Sequence, residues 1–193
     1  LSPTSGRASV GGYDIATQTG DIRLRIGVAL QASSIDGQQS GREMLHLQGE
    51  LYGLSKPDIA QRMNDVIGLV DIGSAIDDRV ESYSGGMKRR LDLAMALIHK
   101  PQILLLDEPT NFLDLRTQVL LEHFLRGFRE ACLIVSHDRS FLTATCDRTL
   151  DLSKGKLTTY PGKISSFLTQ QREHQEHLQR VNATTLAKKK QLE

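Results

Sequence analysis

Two cysteines in 193 residues, no apolar run of membrane-spanning length and almost no net charge remove several classes of protein from consideration. Cys132 and Cys146 have neither metal-ligand spacing nor a disulfide framework around them, so each reads as a reduced, small core residue without a chemical role. A transmembrane helix needs roughly 18 to 20 consecutive apolar residues, and no such run occurs. The first residues do not read as a signal peptide, which makes the cytoplasm the expected compartment. A formal net charge of +1 argues against a globally basic nucleic-acid binder. The charge is unevenly spread: residues 163–193 carry six Lys or Arg against three Glu, leaving 18 against 20 in residues 1–162. A slightly acidic body therefore precedes a basic tail. The sequence opens on Leu1, which implies residues before it.

What is present, 39% hydrophobic and 24% charged residues, fits one globular domain with a sizeable core. The richest stretch is ESYSGGMKRRLDLAMALIHKPQILLLDE, Glu81 to Glu108. Ser84, Gly85 and Gly86 precede a helical run in which Leu91, Ala94, Met95 and Leu97 recur at helical spacing. A helix N-terminus presents unpaired N–H groups and partial positive charge, and glycines allow close approach to the backbone, a combination that suits a phosphate. After the Lys100-Pro101 turn, Gln102 to Leu106 reads as a parallel strand buried on both faces. Asp107 and Glu108 follow at its C-terminal end, the edge where open α/β sheets place ligands.

In chain order, Arg7 to Ile15 reads as a short strand, a Gly11-Gly12 turn and an exit, and Asp21 to Arg25 as one helical turn. Ile26 to Leu30 is an apolar strand that leaves Gln31 at its terminus, followed by a polar loop from Ala32 to Ser40. Helices over Arg42 to Tyr52 and Lys56 to Val70, the second with Ser55 as N-cap and Pro57 early, suggest a small helical subdomain. Asp71 to Val80 links it to the Glu81 stretch. Beyond the turn Pro109 to Asp114, Leu115 to Phe128 reads as a helix and Ala131 to Ser136 as a second buried strand ending at His137-Asp138. A short helix over Asp138 to Thr145 and a hairpin pairing Arg148 to Leu152 with Lys156 to Tyr160 follow. From Gly162 the chain reads as one long polar helix whose apolar positions are too irregular to establish a coiled coil.

Taken together, YSGGM at Tyr83 to Met87, ILLLDEP at Ile103 to Pro109, the Leu113-Asp114 turn, the strand-end His137 and Gln31 as a glutamine loop stand in the order of ATP-binding cassette (ABC) ATPases, which residues 1–162 resemble. The resemblance implies an α/β fold: a P-loop NTPase-type nucleotide-binding domain with a parallel core sheet, a helical subdomain inserted at about residues 38–99, and a basic helical extension over 163–193. It implies ATP and Mg²⁺ as cofactors. Asp107 would hold the Mg²⁺ through its water shell, Glu108 would act as general base on the attacking water, His137 would hydrogen-bond the γ-phosphate, and Gln31 would contact the metal or water. Ser84, Gly85 and Gly86 would serve a nucleotide held by a second cassette, with Asp114 at the seam between the two; the plainer reading of Asp114 is a helix N-cap.

Two departures qualify that picture. The phosphate loop Gly-x-x-x-x-Gly-Lys-Ser/Thr is absent: Gly155-Lys156 and Gly162-Lys163 are followed by Leu157 and Ile164 and have Leu150 and Leu157 where the first Gly belongs. The resemblance is therefore to an N-terminally truncated domain, and this chain alone is expected to hydrolyse no ATP. The second departure is a change of branch. Residues 1 to about 100 resemble the ATPase subunits of daunorubicin-type multidrug exporters, whereas TNFLD, IVSHDRSFL, LDLSKGKLTTYPG and the basic tail resemble ABC-F proteins. The exporter branch implies a membrane permease subunit as partner and a place at the inner face of the membrane. The ABC-F branch implies a ribosome, with Lys188-Lys189-Lys190 meeting RNA phosphates. A non-catalytic interaction fragment is the third reading.

Overall fold

In the computed structural model, residues 4–31, 35–153, 155–169 and 171–173 are described. The chain divides into two compact units, Leu1–His137 and Asp138–Glu193. In the first, β1 (Ser9–Val10) and β2 (Tyr13–Asp14) pair antiparallel around Gly11 and Gly12. Both glycines have positive φ, 59° and 86°, as a tight two-residue hairpin loop demands. Helix α1 (Thr19–Arg23) is the expected single turn. Three parallel strands then form a sheet: β3 (Ile26–Ala29), β4 (Ile103–Asp107) and β5 (Ala131–Val135), in the order β3-β4-β5.

The segment between β3 and β4 is helical, as the 3.6-residue spacing predicts. Helix α2 (Gly41–Leu51) starts on a capping box: the Ser40 hydroxyl accepts from the Glu43 N–H while the Glu43 carboxylate accepts from the Ser40 N–H. Helix α3 (Lys56–Val70) starts on Ser55, whose hydroxyl accepts from the Asp58 N–H, with Pro57 in its first turn. Short 3-10 turns over Gly73–Asp77 and Val80–Ser82 lead to α4 (Gly85–Leu97). The buried faces of the three helices, including Leu45, Ile59, Val66, Leu91 and Leu93, form one apolar cluster. Helix α5 (Leu115–Gly127) packs against α3.

Helix α4 lies directly on β3. A Cβ at Gly27 would stand 2.1 Å from the Ala96 carbonyl oxygen, so only glycine lets the strand approach the helix backbone this closely. Below α4, Leu104 and Leu106 of β4 are fully buried. The opposite face does not match the expectation of two covered faces: Ile103 and Leu105 are half-buried, and β5 is open along most of its length. Leu133 is 45% and Val135 53% exposed. Cys132 is exposed and Cys146 half-buried, so neither is the enclosed core residue that the sequence suggested. The physical reason is what covers the sheet. A short apolar run has the same pattern whether or not a layer packs on it, and among the described residues the helix that lies on this sheet, α4, packs on β3.

The second unit holds α6 (Arg139–Thr145), capped by Asp138, and the antiparallel hairpin β6 (Arg148–Ser153) and β7 (Lys156–Pro161). Residues 164–169 and 171–173 are helical. The rest of the expected long helix, with Lys188-Lys189-Lys190, lies outside the described residues. No helix among the described residues is long and apolar enough to cross a membrane.

Candidate functional site

Parallel pairing brings three strand ends to one edge. Ala29 pairs with Leu106 and Asp107 with Val135. Gln31 is two residues beyond the first pair, Glu108 follows Asp107, and Ser136-His137 follow Val135, so all four predicted residues of the cis site stand at the C-terminal edge of adjacent strands. Asp107 is half-buried, Gln31 exposed and the His137 side chain fully exposed.

Glu108 is the most constrained of the four. It is 8% exposed and adopts φ 46°, the left-handed region that a residue with a Cβ enters at a cost of roughly 1–2 kcal/mol. Its N–H donates to the Val135 carbonyl at 2.7 Å, which fixes the turn away from β4. Its carboxylate accepts from the Ser136 hydroxyl and the His137 N–H, both at 3.3 Å, and lies 3.4 Å from His137 Nε2. A carboxylate held by donors and kept from free rotation is suited to orienting a water molecule or withdrawing its proton.

Ser84, Gly85 and Gly86 open α4 at the other end of the same helix–strand unit. The Ser84 hydroxyl accepts from the Met87 N–H at 3.2 Å, an N-cap, and Ser84 and Gly85 are exposed. The two glycines differ. A Cβ on Gly85 would meet nothing within 4 Å, whereas one on Gly86 would stand 2.7 Å from the Phe112 carbonyl oxygen. Gly86 is thus required by this chain's own packing, and Gly85 is not.

Asp114 caps α5: one carboxylate oxygen accepts from the Thr117 N–H at 3.1 Å, the other from the Thr117 hydroxyl at 3.0 Å and from the Arg90 guanidinium. The N-cap reading of this residue therefore holds. Arg90 also donates to the Asp71 carbonyl at 2.7 Å, and ties the helix opened by Ser84 to the turn after Glu108.

Two residues escaped sequence reasoning. Ser136 holds the Glu108 carboxylate; its place immediately before the strand-end histidine was the available signal. Arg89 is 5% exposed and donates to the Leu30 and Asp107 carbonyls and to Asp92. A helical arginine reads as a solvated residue, and nothing local marks this one as buried. Burial pushes the Asp92 carboxyl up to about 6, against the pull of the adjacent Arg89 charge. Burial also drives His99, which stacks on Tyr52 at 3.6 Å, down to about 4.

A family profile described as "ABC transporter" matches residues 1–111. The chain belongs to the ABC transporter family. It is 39% identical over 131 residues to the ATP-binding protein Uup of Escherichia coli (strain K12), covering 68% of this chain and 20% of Uup. It is 40% identical over 116 residues to the daunorubicin resistance ATP-binding protein DrrA3 of Streptomyces coeruleorubidus, covering 60% of this chain and 37% of DrrA3. The chain thus spans well under half the length of either relative. A solved structure titled "Structure of ATP binding subunit of ABC transporter" superposes with a TM-score of 0.78 at 20% identity, covering 83% of this chain and 69% of that one, which establishes the fold.

Proteins of the ABC family bind ATP with Mg²⁺, and the residues present fit that pair unevenly. Mg²⁺ keeps several waters and accepts one or two carboxylates beside phosphate oxygens. Asp107 offers one such carboxylate, and no group of three or more His, Cys, Asp or Glu able to hold a metal occurs among the described residues. The backbone cradle and lysine for the β- and γ-phosphates have no counterpart in the 193 residues.

Proposed function

We propose that this chain is the nucleotide-binding region of an ABC ATPase that couples ATP turnover to drug export, carrying the metal-and-water side of one site and the signature side of another. The observation behind this reading is the gathering of Gln31, Asp107, Glu108 and His137 on three adjacent strand ends. When bound, Mg²⁺·ATP supplies the γ-phosphoryl group and the charge that offsets the phosphates. Asp107 would hold a water of the metal shell. Glu108, aimed by Ser136 and the His137 N–H, would orient the attacking water and take its proton. The exposed His137 ring would donate to the γ-phosphate, and Gln31 would contact the metal or water from the neighbouring strand.

The open end of α4 would serve a nucleotide on a second cassette. Ser84 and the first-turn amides are the donors, and the exposed Phe112 and Leu115 flank Asp114 where the two cassettes would meet. A permease subunit is the partner that the export reading requires, which places the assembly at the cytoplasmic face of the membrane. The similarity to DrrA3 supports this reading. The TNFLD and IVSHDRSFL runs favour an ABC-F protein acting on ribosomes as the second reading.

Nucleotide titration of the purified chain tests the common part: a fluorescent ATP analogue should bind in an Mg²⁺-dependent way, and Asp107→Asn should remove that dependence. No binding at millimolar nucleotide leaves only an interaction fragment. Phosphate release should be absent from the 193-residue chain, since it lacks the phosphate loop; Mg²⁺-dependent release lost in Glu108→Gln overturns that expectation. Recovery with a permease from membranes selects the exporter reading, and salt-sensitive pelleting with ribosomes selects the other.

A further inference from the structure

We propose that Arg89 is a positioning residue for the nucleotide site: it clamps the ends of β3 and β4 to the helix that opens with Ser84 and holds Glu108 in its left-handed backbone conformation. The inference deepens the proposed nucleotide site and rests on it. The Arg89 side chain leaves α4 inward, and its planar fork spans two strands, one nitrogen donating to the Leu30 carbonyl and to Asp92 Oδ2 (3.1 Å), the other donating to the Asp107 carbonyl at 2.6 Å. Leu30 immediately precedes Gln31. The Asp107 carbonyl belongs to the same peptide unit as the Glu108 N–H, which donates to Val135 of β5 at 2.7 Å.

One peptide plane is therefore gripped on both sides, by Arg89 on its oxygen and by β5 on its nitrogen. A hydrogen bond at one end of a peptide unit strengthens the one at the other. The residue that follows this plane is Glu108, at φ 46°, and a backbone in a sparsely populated conformation persists when its surroundings over-determine it. Burying a guanidinium is costly unless charge and hydrogen bonds compensate. Here Asp92 supplies the charge, and the two carbonyls are those that set the strand ends. Lysine at this position would keep the charge as a compact ammonium without the planar fork that reaches both carbonyls, while methionine would fill the space and donate to neither.

The test uses the 193-residue chain as wild type, Arg89→Lys and Arg89→Met, with amide hydrogen exchange and Mn²⁺·ATP binding followed by paramagnetic resonance. Losing a charged hydrogen bond should raise exchange at Glu108 about tenfold in Arg89→Met, with Met63 and Val66 of α3 unchanged. Arg89→Lys should fall between the two, and it carries the comparison should Arg89→Met not fold. Mn²⁺·ATP affinity should drop about tenfold in Arg89→Met and recover in part in Arg89→Lys. Wild-type exchange at Glu108 in both variants, or a lysine variant no closer to wild type than the methionine one, overturns the proposal. Absence of Mn²⁺·ATP binding to the wild-type chain refutes the nucleotide reading instead, and the exchange pattern then decides the clamp by itself.

Discussion

Helix α4 and strand β4 form one continuous unit with two unlike ends. At Asp107-Glu108 the backbone is enclosed: Arg89 takes one carbonyl, Val135 receives an N–H, and Ser136 and His137 hold the carboxylate. At Ser84-Gly85 the chain is exposed, and a helix start leaves first-turn N–H groups over. The difference teaches what each end is for. An end whose backbone is tied inside the chain is suited to orienting its own side chains. An end that leaves helix-start donors exposed is open to a group from outside, in the proposed reading the nucleotide of a second cassette.

The sharpest break in that comparison comes from the core beneath the enclosed end. Leu106 is fully buried one residue before Asp107, and Leu106→Ala should cost about 2–5 kcal/mol through lost transfer energy and a cavity. Leu133→Ala on the open face of β5 should cost well under half as much, because that side chain stays 45% exposed. Urea unfolding midpoints of the two variants measure the contrast. Equal losses would mean that the open face of the sheet is covered in solution.

Gly86→Ala comes next. The added Cβ would stand 2.7 Å from the Phe112 carbonyl oxygen, a backbone atom, so the turn that carries Asp114 must shift. Overpacking of this kind costs about 1–3 kcal/mol, and a loss of thermal stability together with altered exchange at Asn111 to Asp114 is the expected result. An unchanged midpoint would show the turn to be free to move, against the close contact described above.

Both effects turn on residues whose role the sequence displayed unequally. The order of the elements and the strand-end placement of Gln31, Asp107, Glu108 and His137 were legible, since short apolar runs, Ser55-Lys56-Pro57 and Gly11-Gly12 act through local chemistry. The exposure of β5 was not, because hydrophobic runs do not record which neighbours lie beside them. Nor was the burial of Arg89, whose acceptor at Leu30 is 59 residues distant in sequence. Gly86 was read as a position where a phosphate comes close, and the atom found against it is the Phe112 carbonyl oxygen of the same chain.

A smaller effect separates the two ends by pH. Ser84, Gly85 and Gly86 do not titrate, whereas Asp92 in the enclosed part of α4 and His99, two residues beyond its end, are half-buried. The Asp92 carboxyl sits at about 6, above its ordinary value of 3.8, so its contribution to stability is complete below pH 3.8 and is lost as pH rises through 6. His99, lowered to about 4 from 6.5, contributes fully above pH 6.5 and loses that contribution as pH falls through 4. The two slopes oppose each other between pH 4 and 6. Asp92→Asn should therefore make stability rise more steeply with pH across this window, and His99→Gln should make it rise less, as urea midpoints at several pH values will register. A slope unaffected by Asp92→Asn would contradict the burial of that carboxylate.

Gly85→Ala carries the smallest energy and the cleanest decision. Its Cβ would enter open space, its backbone is helical, and replacing a helical glycine by alanine restricts the unfolded chain, so the folded chain should gain about 0.4–1 kcal/mol. On stability alone glycine is the poorer choice at this position. Glycine has an advantage here only if another molecule must come within a methyl radius of the backbone, as a phosphate would on this helix start. The variant should therefore melt at a higher temperature yet associate less readily with a second cassette in the presence of Mg²⁺·ATP, read by sedimentation with a cassette that carries its own phosphate loop. If Gly85→Ala gains stability and associates as well as wild type, the open end of α4 has no close ligand, and the contrast between the two ends reduces to one of packing.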